Sequence, residues 1–153
     1  MKRQNIIRTL SLLLFIFLFF NGTVLQVSAS TDVREVLLQE VNAQRVSRGL
    51  QPLTLDDTLN ADAQIRAREI TSCFSHTRPN GTPWYTVDHS RVFGETLALG
   101  YNCSAEGARG IIGLWMHSPA HASLLLNGHF HNIGFAACPG SDGNWYWTAE
   151  LGY

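Results

Sequence analysis

Seven side chains of this sequence have types and spacings that could do chemistry: His76, Glu95, His117, Ser118, His121, His129 and His131. Imidazole and carboxylate are what a divalent-metal site or a general acid–base site requires. His76 stands in "CFSHTRPNG", beside Arg78 and ahead of a Pro79-Asn80-Gly81 turn. A hydrogen-bonded surface histidine is the plain alternative there. His117 and His121 are four apart, but Pro119 interrupts any helix between them, and no HExxH motif is present. His129 and His131 straddle Phe130 and would share a face if the segment is extended. Ser118 lies between two histidines in "HSPAH". Without a GxSxG elbow, and directly before a proline, it fits a helix cap better than a nucleophile. Cys73 precedes His76 by three residues, yet a catalytic Cys–His pair is assembled by the fold and not by local spacing.

The elements that must hold these residues follow from pattern. Asp32 with Glu35 resembles a capping box, and Val33, Val36, Leu37 and Val41 then keep helical spacing up to Arg48-Gly49. The stretch "TLDDTLNADAQIRAREI" reads as a second helix with Leu59, Ala63, Ala67 and Ile70 as its packed stripe and Asp62, Arg66 and Glu69 off it. From Thr77 to Asn102 the chain is rich in Pro, Gly and aromatics, which suits functional loops. A short strand or helical turn is expected near Glu95–Leu99. Ser104 caps a third helix that carries Ala108, Ile111, Ile112, Trp115 and Met116, and Ser118-Pro119 opens a short fourth. "HNIGFAAC" and "NWYWTAEL" flank "PGSDG" and predict an antiparallel hairpin. Helices first and a hairpin last predict an α+β fold.

Composition narrows the context. Met1-Lys2-Arg3, the apolar run Leu10–Phe20 and "VSAS" read as a secretory signal peptide over residues 1–29, with cleavage after Ala29 and one domain over 30–153. An uncleaved anchor is the alternative, for which the apolar run is short. No membrane span is expected after cleavage. Removing Lys2, Arg3 and Arg8 from the eleven basic residues leaves eight against twelve acidic ones, about −4. That balance gives no electrostatic footprint for nucleic acid or anionic lipid. Three cysteines in an exported chain suggest one disulfide and one free thiol, with three buried thiols as the alternative. Cys103–Cys138 is the first choice of pair, and Cys73 with either is the second.

Taken in order, "FSHTRPNG", "GETLALG", "LWMHSPAHASLLL" and "HFHNIGFAAC" resemble the CAP superfamily of cysteine-rich secretory, antigen-5 and pathogenesis-related proteins, and its bacterial secreted branch most. The likeness runs from about Val33 to Gly152. It implies a three-layer α-β-α sandwich with a central antiparallel sheet, and a cleft where histidines and acidic residues meet. His76 and Glu95 fall at the motif histidine and the glutamate of "GEN". Trp115, Ser118, Pro119 and His121 match "WxxSPGH". His129 falls at the second cleft histidine, with His131 as its alternative. The implied cleft is His76, Glu95, His121 and His129, walled by Leu97, Trp84 and Tyr85. The implied metal ligands are His76, Glu95 and His129, for Zn²⁺ or another divalent cation. Three departures stand out: Thr96 replaces the Asn of "GEN", Ala120 the Gly of "SPGH", and Ser118 the second acid of the eukaryotic cleft.

The resemblance implies three functions. The first is a secreted extracellular module that binds a metal or a small, lipid-like or envelope-derived ligand. The second is a metal-assisted or general-base hydrolase of peptides or cell-wall components, in which Glu95 or a histidine activates water. The third is a structural adhesion domain whose polar cluster only stabilises it.

Overall fold

The computed structural model describes residues 32–153, so the expected signal peptide lies outside the described residues. Helix α1 spans Val33–Val46, strand β1 Thr54–Leu55, and helix α2 Asp57–Ile70. A single 3-10 turn covers Trp84–Val87, followed by β2 (Gly94–Gly100), α3 (Ala105–His117), α4 (Pro119–Leu125), β3 (Asn132–Pro139) and β4 (Trp145–Gly152). The sheet order is β1-β3-β4-β2. β3 and β4 form the expected hairpin and β2 runs antiparallel to β4. β1 is the exception, pairing with β3 in parallel.

Three layers result. On one face, Val36, Leu37 and Val41 of α1 and Ala108, Ile111, Ile112 and Trp115 of α3 pack on Phe135, Trp147 and Ala149 of the sheet. On the other, α2 sets Ala63 and Ala67 against Ala136, and Ile70 against Leu97 and Tyr146. The alanines let α2 lie close, as their size suggested. Gly134 makes the approach closest, because a Cβ there would overlap the backbone of Leu59 and Asn60.

Local details depart from the sequence reading in physical ways. The second helix starts three residues later than the stretch "TLDD" suggested, at Asp57. Thr54 and Leu55 pair with β3 instead, and Asp56 caps α2 by accepting from Thr58 N and Leu59 N. The Asp32 side chain accepts from Arg34 N and also grips the Arg34 guanidinium, so the capping-box partner Glu35 is not used. Ser104 caps α3 through Gly107 N, whereas Ser118 makes no side-chain cap for α4. Arg45 is fully buried, with no carboxylate partner among the described residues. Its guanidinium donates to the carbonyls of Gln51, Leu125, Asn127 and Phe130 and so fastens α1 to the segment after α4.

The expected disulfide is absent, and all three thiols are free. Cys103 packs on the core under α1 and α3, while Cys138 packs on the cluster under α2. The sheet separates the two sulfurs. Cys73 is exposed on the loop after α2.

A Gly134→Ala substitution tests how tightly α2 sits on the sheet. Overpacking at that contact should destabilise the domain by about 1–3 kcal/mol or more. Thermal melting would read it, and a variant as stable as the parent would mean that α2 can lift without cost.

Candidate functional site

The site forms where α2 crosses the sheet beneath β2 and β4. Glu95 lies directly opposite Glu150 across the strands, and Leu97 opposite Thr148. Side chains alternate along a strand, so Glu95, Leu97, Thr148 and Glu150 share one face. That is the face α2 covers, since Leu97 packs against Ile70. Thr96 therefore points to the opposite face, where its hydroxyl is buried without a partner among the described residues. Its departure from the family motif does not reach the site.

Arg66 of α2 organises the cluster. Its guanidinium is fully buried, with Nε 2.6 Å from Glu95 Oε2 and Nη2 3.3 Å from Glu95 Oε1. Nη1 donates to Glu69 Oε2 at 2.6 Å, and Nη2 to the Ser75 carbonyl at 2.8 Å. Glu69 also receives Arg78 Nη2 at 2.6 Å on its Oε1. The loop that carries His76 is thus anchored on either side of that residue. A short return completes it: Trp84 N donates to the His76 carbonyl, Arg78 N to Thr82 O, and Gly81 turns the chain at φ +84°. That positive φ is what the Pro-Asn-Gly turn provides.

His76 Nδ1 lies 2.7 Å from Glu95 Oε1. A carboxylate only accepts, so Nδ1 carries the hydrogen and the ring turns Nε2 outward. The His76 side chain is 53% exposed while that of Glu95 is fully buried. His121, half-buried on α4, is close enough to His76 to feel its charge. Burial first, and then His76, hold its imidazole below the usual histidine range.

The carboxyls divide into charged and neutral. Burial alone would raise Glu95, but the His76 hydrogen bond and the hydrogen bonds and charge of Arg66 outweigh it, so it titrates below the usual range. Glu69 is lowered in the same way: its burial is outweighed by hydrogen bonds from Arg78 and Arg66. Glu150 is pushed well above the carboxylate range, by burial first and by the neighbouring Glu95 charge second. Thr148 Oγ1 donates to Glu150 Oε1 at 3.2 Å, and Oε2 has no hydrogen-bond partner among the described residues. Glu95 therefore acts on Glu150 chiefly through its field, and a proton on Glu150 spares the interior an unpaired charge. Two guanidinium groups and two carboxylates then balance, beside a neutral acid.

The sequence-based set is brought together only in part. His76 and Glu95 touch, and His121 stands near His76. His129 is exposed on the turn before β3, its N–H donating to Asn127 Oδ1. His131 is exposed at the foot of β3, where its main chain bonds Thr54 and Gly152. Trp84 and Tyr85 stack edge to face on the 3-10 turn, 5.5 Å apart. Among the described residues no three His, Cys, Asp or Glu side chains converge as metal ligands. Both Glu95 oxygens are already taken by Arg66 and His76. His76 Nε2 is free to ligate, but the three-ligand set His76, Glu95 and His129 is not formed, and the donors present do not fit a resident Zn²⁺.

Three members of the cluster were missed in the sequence. Arg66 and Glu69 read as the polar side of an amphipathic helix. Glu150 carried a signal: an acid at the inward period of an otherwise apolar strand.

Glu150 gives a pH test. An acid whose folded pKa is raised holds a proton that the unfolded chain releases, so its contribution is lost as pH climbs above about 4.5. The slope is about 1.4 kcal/mol per pH unit for one proton. Glu95 has the opposite sign, and its contribution is lost as pH falls through its lowered folded value. Glu150→Gln should keep the acid-side loss and remove the alkaline-side one. Melting curves should coincide near about pH 4 and separate in favour of the variant by about pH 8. A variant less stable than the parent at the higher pH would mean that Glu150 is ionised in the fold.

Residues 38–151 match the profile of the Cysteine-rich secretory protein family. Among individual proteins, the chain is 27% identical over 122 residues to the uncharacterized protein YkwD of Bacillus subtilis strain 168, an alignment that takes in 74% of this chain. The chain spans about half the length of this curated relative, 46%. Its fold is similar to that of an outer surface protein of Borrelia burgdorferi, with a TM-score of 0.66 at 24% identity, covering 80% of this chain and 93% of that one. It is also similar to a cysteine-rich secretory protein of Staphylococcus aureus Mu50, with a TM-score of 0.59 at 24% identity, covering 83% and 41%. The profile match spans most of the folded domain, in the same three-layer fold, and the chain belongs to the cysteine-rich secretory protein (CAP) family.

Proposed function

We propose that this domain is an extracellular binding module, and that its His76 imidazole recognises a polar group of a cell-envelope ligand. One observation carries the reading: a half-exposed imidazole held at 2.7 Å by a buried carboxylate that is itself clamped by a buried arginine. Such a chain of contacts fixes tautomer and orientation, which is what a recognition group needs. His121 is near enough for the two imidazoles to interact electrostatically. The His76 ring is half exposed and lines none of three grooves found elsewhere on the domain, which suits contact with a polar group at the surface. Export is supported by the outer-surface neighbour, and no helix among the described residues is long and apolar enough to cross a membrane.

Hydrolysis is the second reading, and the same dyad favours it. An imidazole backed by a carboxylate is a general base in waiting. No serine, threonine or cysteine side chain bonds His76 among the described residues, so the nucleophile would be water.

Titration of the protein with soluble peptidoglycan fragments separates these readings. Binding should be saturable and fall at least about tenfold in His76→Ala, 1.4 kcal/mol or more, with little change in melting temperature because the ring is half exposed. Fragment turnover lost in the same variant would establish the hydrolase instead. A large drop in melting temperature without any binding by the parent would assign the cluster to stability alone. Zn²⁺ titrated in parallel should give no tight site, and tight binding lost in His76→Ala would restore the metal reading.

A further inference from the structure

The outer edge of β3 is open over most of its length. β1 pairs with it only at Asn132 and Ile133, because the chain turns into α2 at Asp56, whose N–H donates to Ile133 O. Beyond that point the main chain of alternate residues keeps facing outward. Phe135 N–H is met by Asn60 Oδ1 at 2.9 Å. Phe135 O and both main-chain groups of Ala137 follow in the same direction, and no other element among the described residues bonds them. Pro139 closes the row, having no N–H to offer.

These groups floor a groove of about 460 Å³. Val33 and Leu37 of α1 form one wall, and Ala61 and Gln64 of α2 the other. Its lining carries one guanidinium, Arg34, and one carboxylate, Asp57, and Asp32 stands beside Arg34. Arg34 is held bidentately by Asp32, while Asp57 is exposed and makes no ion pair among the described residues. An acyl chain in this groove would leave the β3 groups unpaired, whereas a peptide backbone would satisfy them.

We propose that this groove binds an extended peptide bearing a basic side chain, which adds to the β3 edge in the track that β1 vacates. Main-chain bonds at Phe135 and Ala137 hold the backbone, the apolar walls take alternate side chains, and Asp57 selects the cation. The groups available suit a segment of about four residues, near 13 Å long. No residue of the His76–Glu95 cluster takes part, so this site stands or falls separately from that reading.

The test uses the ¹⁵N-labelled exported protein and two probes, acetyl-Thr-Val-Lys-Val-Thr-amide and its counterpart with Glu in place of Lys. The lysine peptide should move the Ala137 amide resonance and slow its hydrogen exchange by about tenfold or more, with binding at least about tenfold tighter than the glutamate peptide. Ala61→Trp, at an exposed position of α2, should fill the groove and abolish both effects without lowering the melting temperature. An Ala137 amide that stays unchanged at millimolar lysine peptide overturns the proposal. So does binding that survives in Ala61→Trp, or equal binding of the two probes.

Discussion

The buried guanidinium of Arg66 is the constraint around which this domain is arranged. It sits at zero exposure between a helix and a sheet, where an unpaired charge would cost several kcal/mol. Its five N–H donors fix where the carboxylates must be, and both Glu95 oxygens and one from Glu69 answer them. A further direction is filled by the Ser75 carbonyl, which draws the loop of His76 onto the helix. For the bonds to close, α2 must lie within touching distance of the strands. That in turn requires alanine and glycine at Ala63, Ala67 and Gly134. Small residues in the sheet layer and a charge network at its end are two sides of one requirement.

Electrostatics at the site follow from the same charge. Two carboxyls face each other on neighbouring strands, but only one can be ionised beside one guanidinium at this depth. Arg66 and His76 both address Glu95, so Glu95 holds its charge to lower pH while Glu150 keeps its proton to higher pH. His76 then meets a fixed negative partner and not a shifting one. An exposed ring on a loop gains the positional definition of an interior residue.

Much of this was legible in the sequence, and the missing part has a physical pattern. Helices α1 and α3 and the terminal hairpin carry strong periodicity and appeared as expected. His76 and Glu95 stand in local motifs, so their pairing could be anticipated from the family likeness. Arg66 could not, because a polar residue on a helix reads as solvated unless the loop and strand that cover it are known. β1 was absorbed into α2, since two residues carry no period. His129 was assigned to the cleft by alignment; it stands exposed on the turn before β3, with its N–H on Asn127 Oδ1. The thiol pairing failed for a topological reason: a sheet stands between Cys103 and Cys138.

The family is named for its cysteines, and the three of this chain are free thiols. Nothing in the tertiary structure of the described residues is cross-linked, and the work of tying distant segments together falls to Arg45, with its four carbonyls, and to Arg66. Guanidinium groups cannot be reduced, oxidised or shuffled. The contacts by which these two arginines tie the segments together therefore do not change with the thiol–disulfide poise around them.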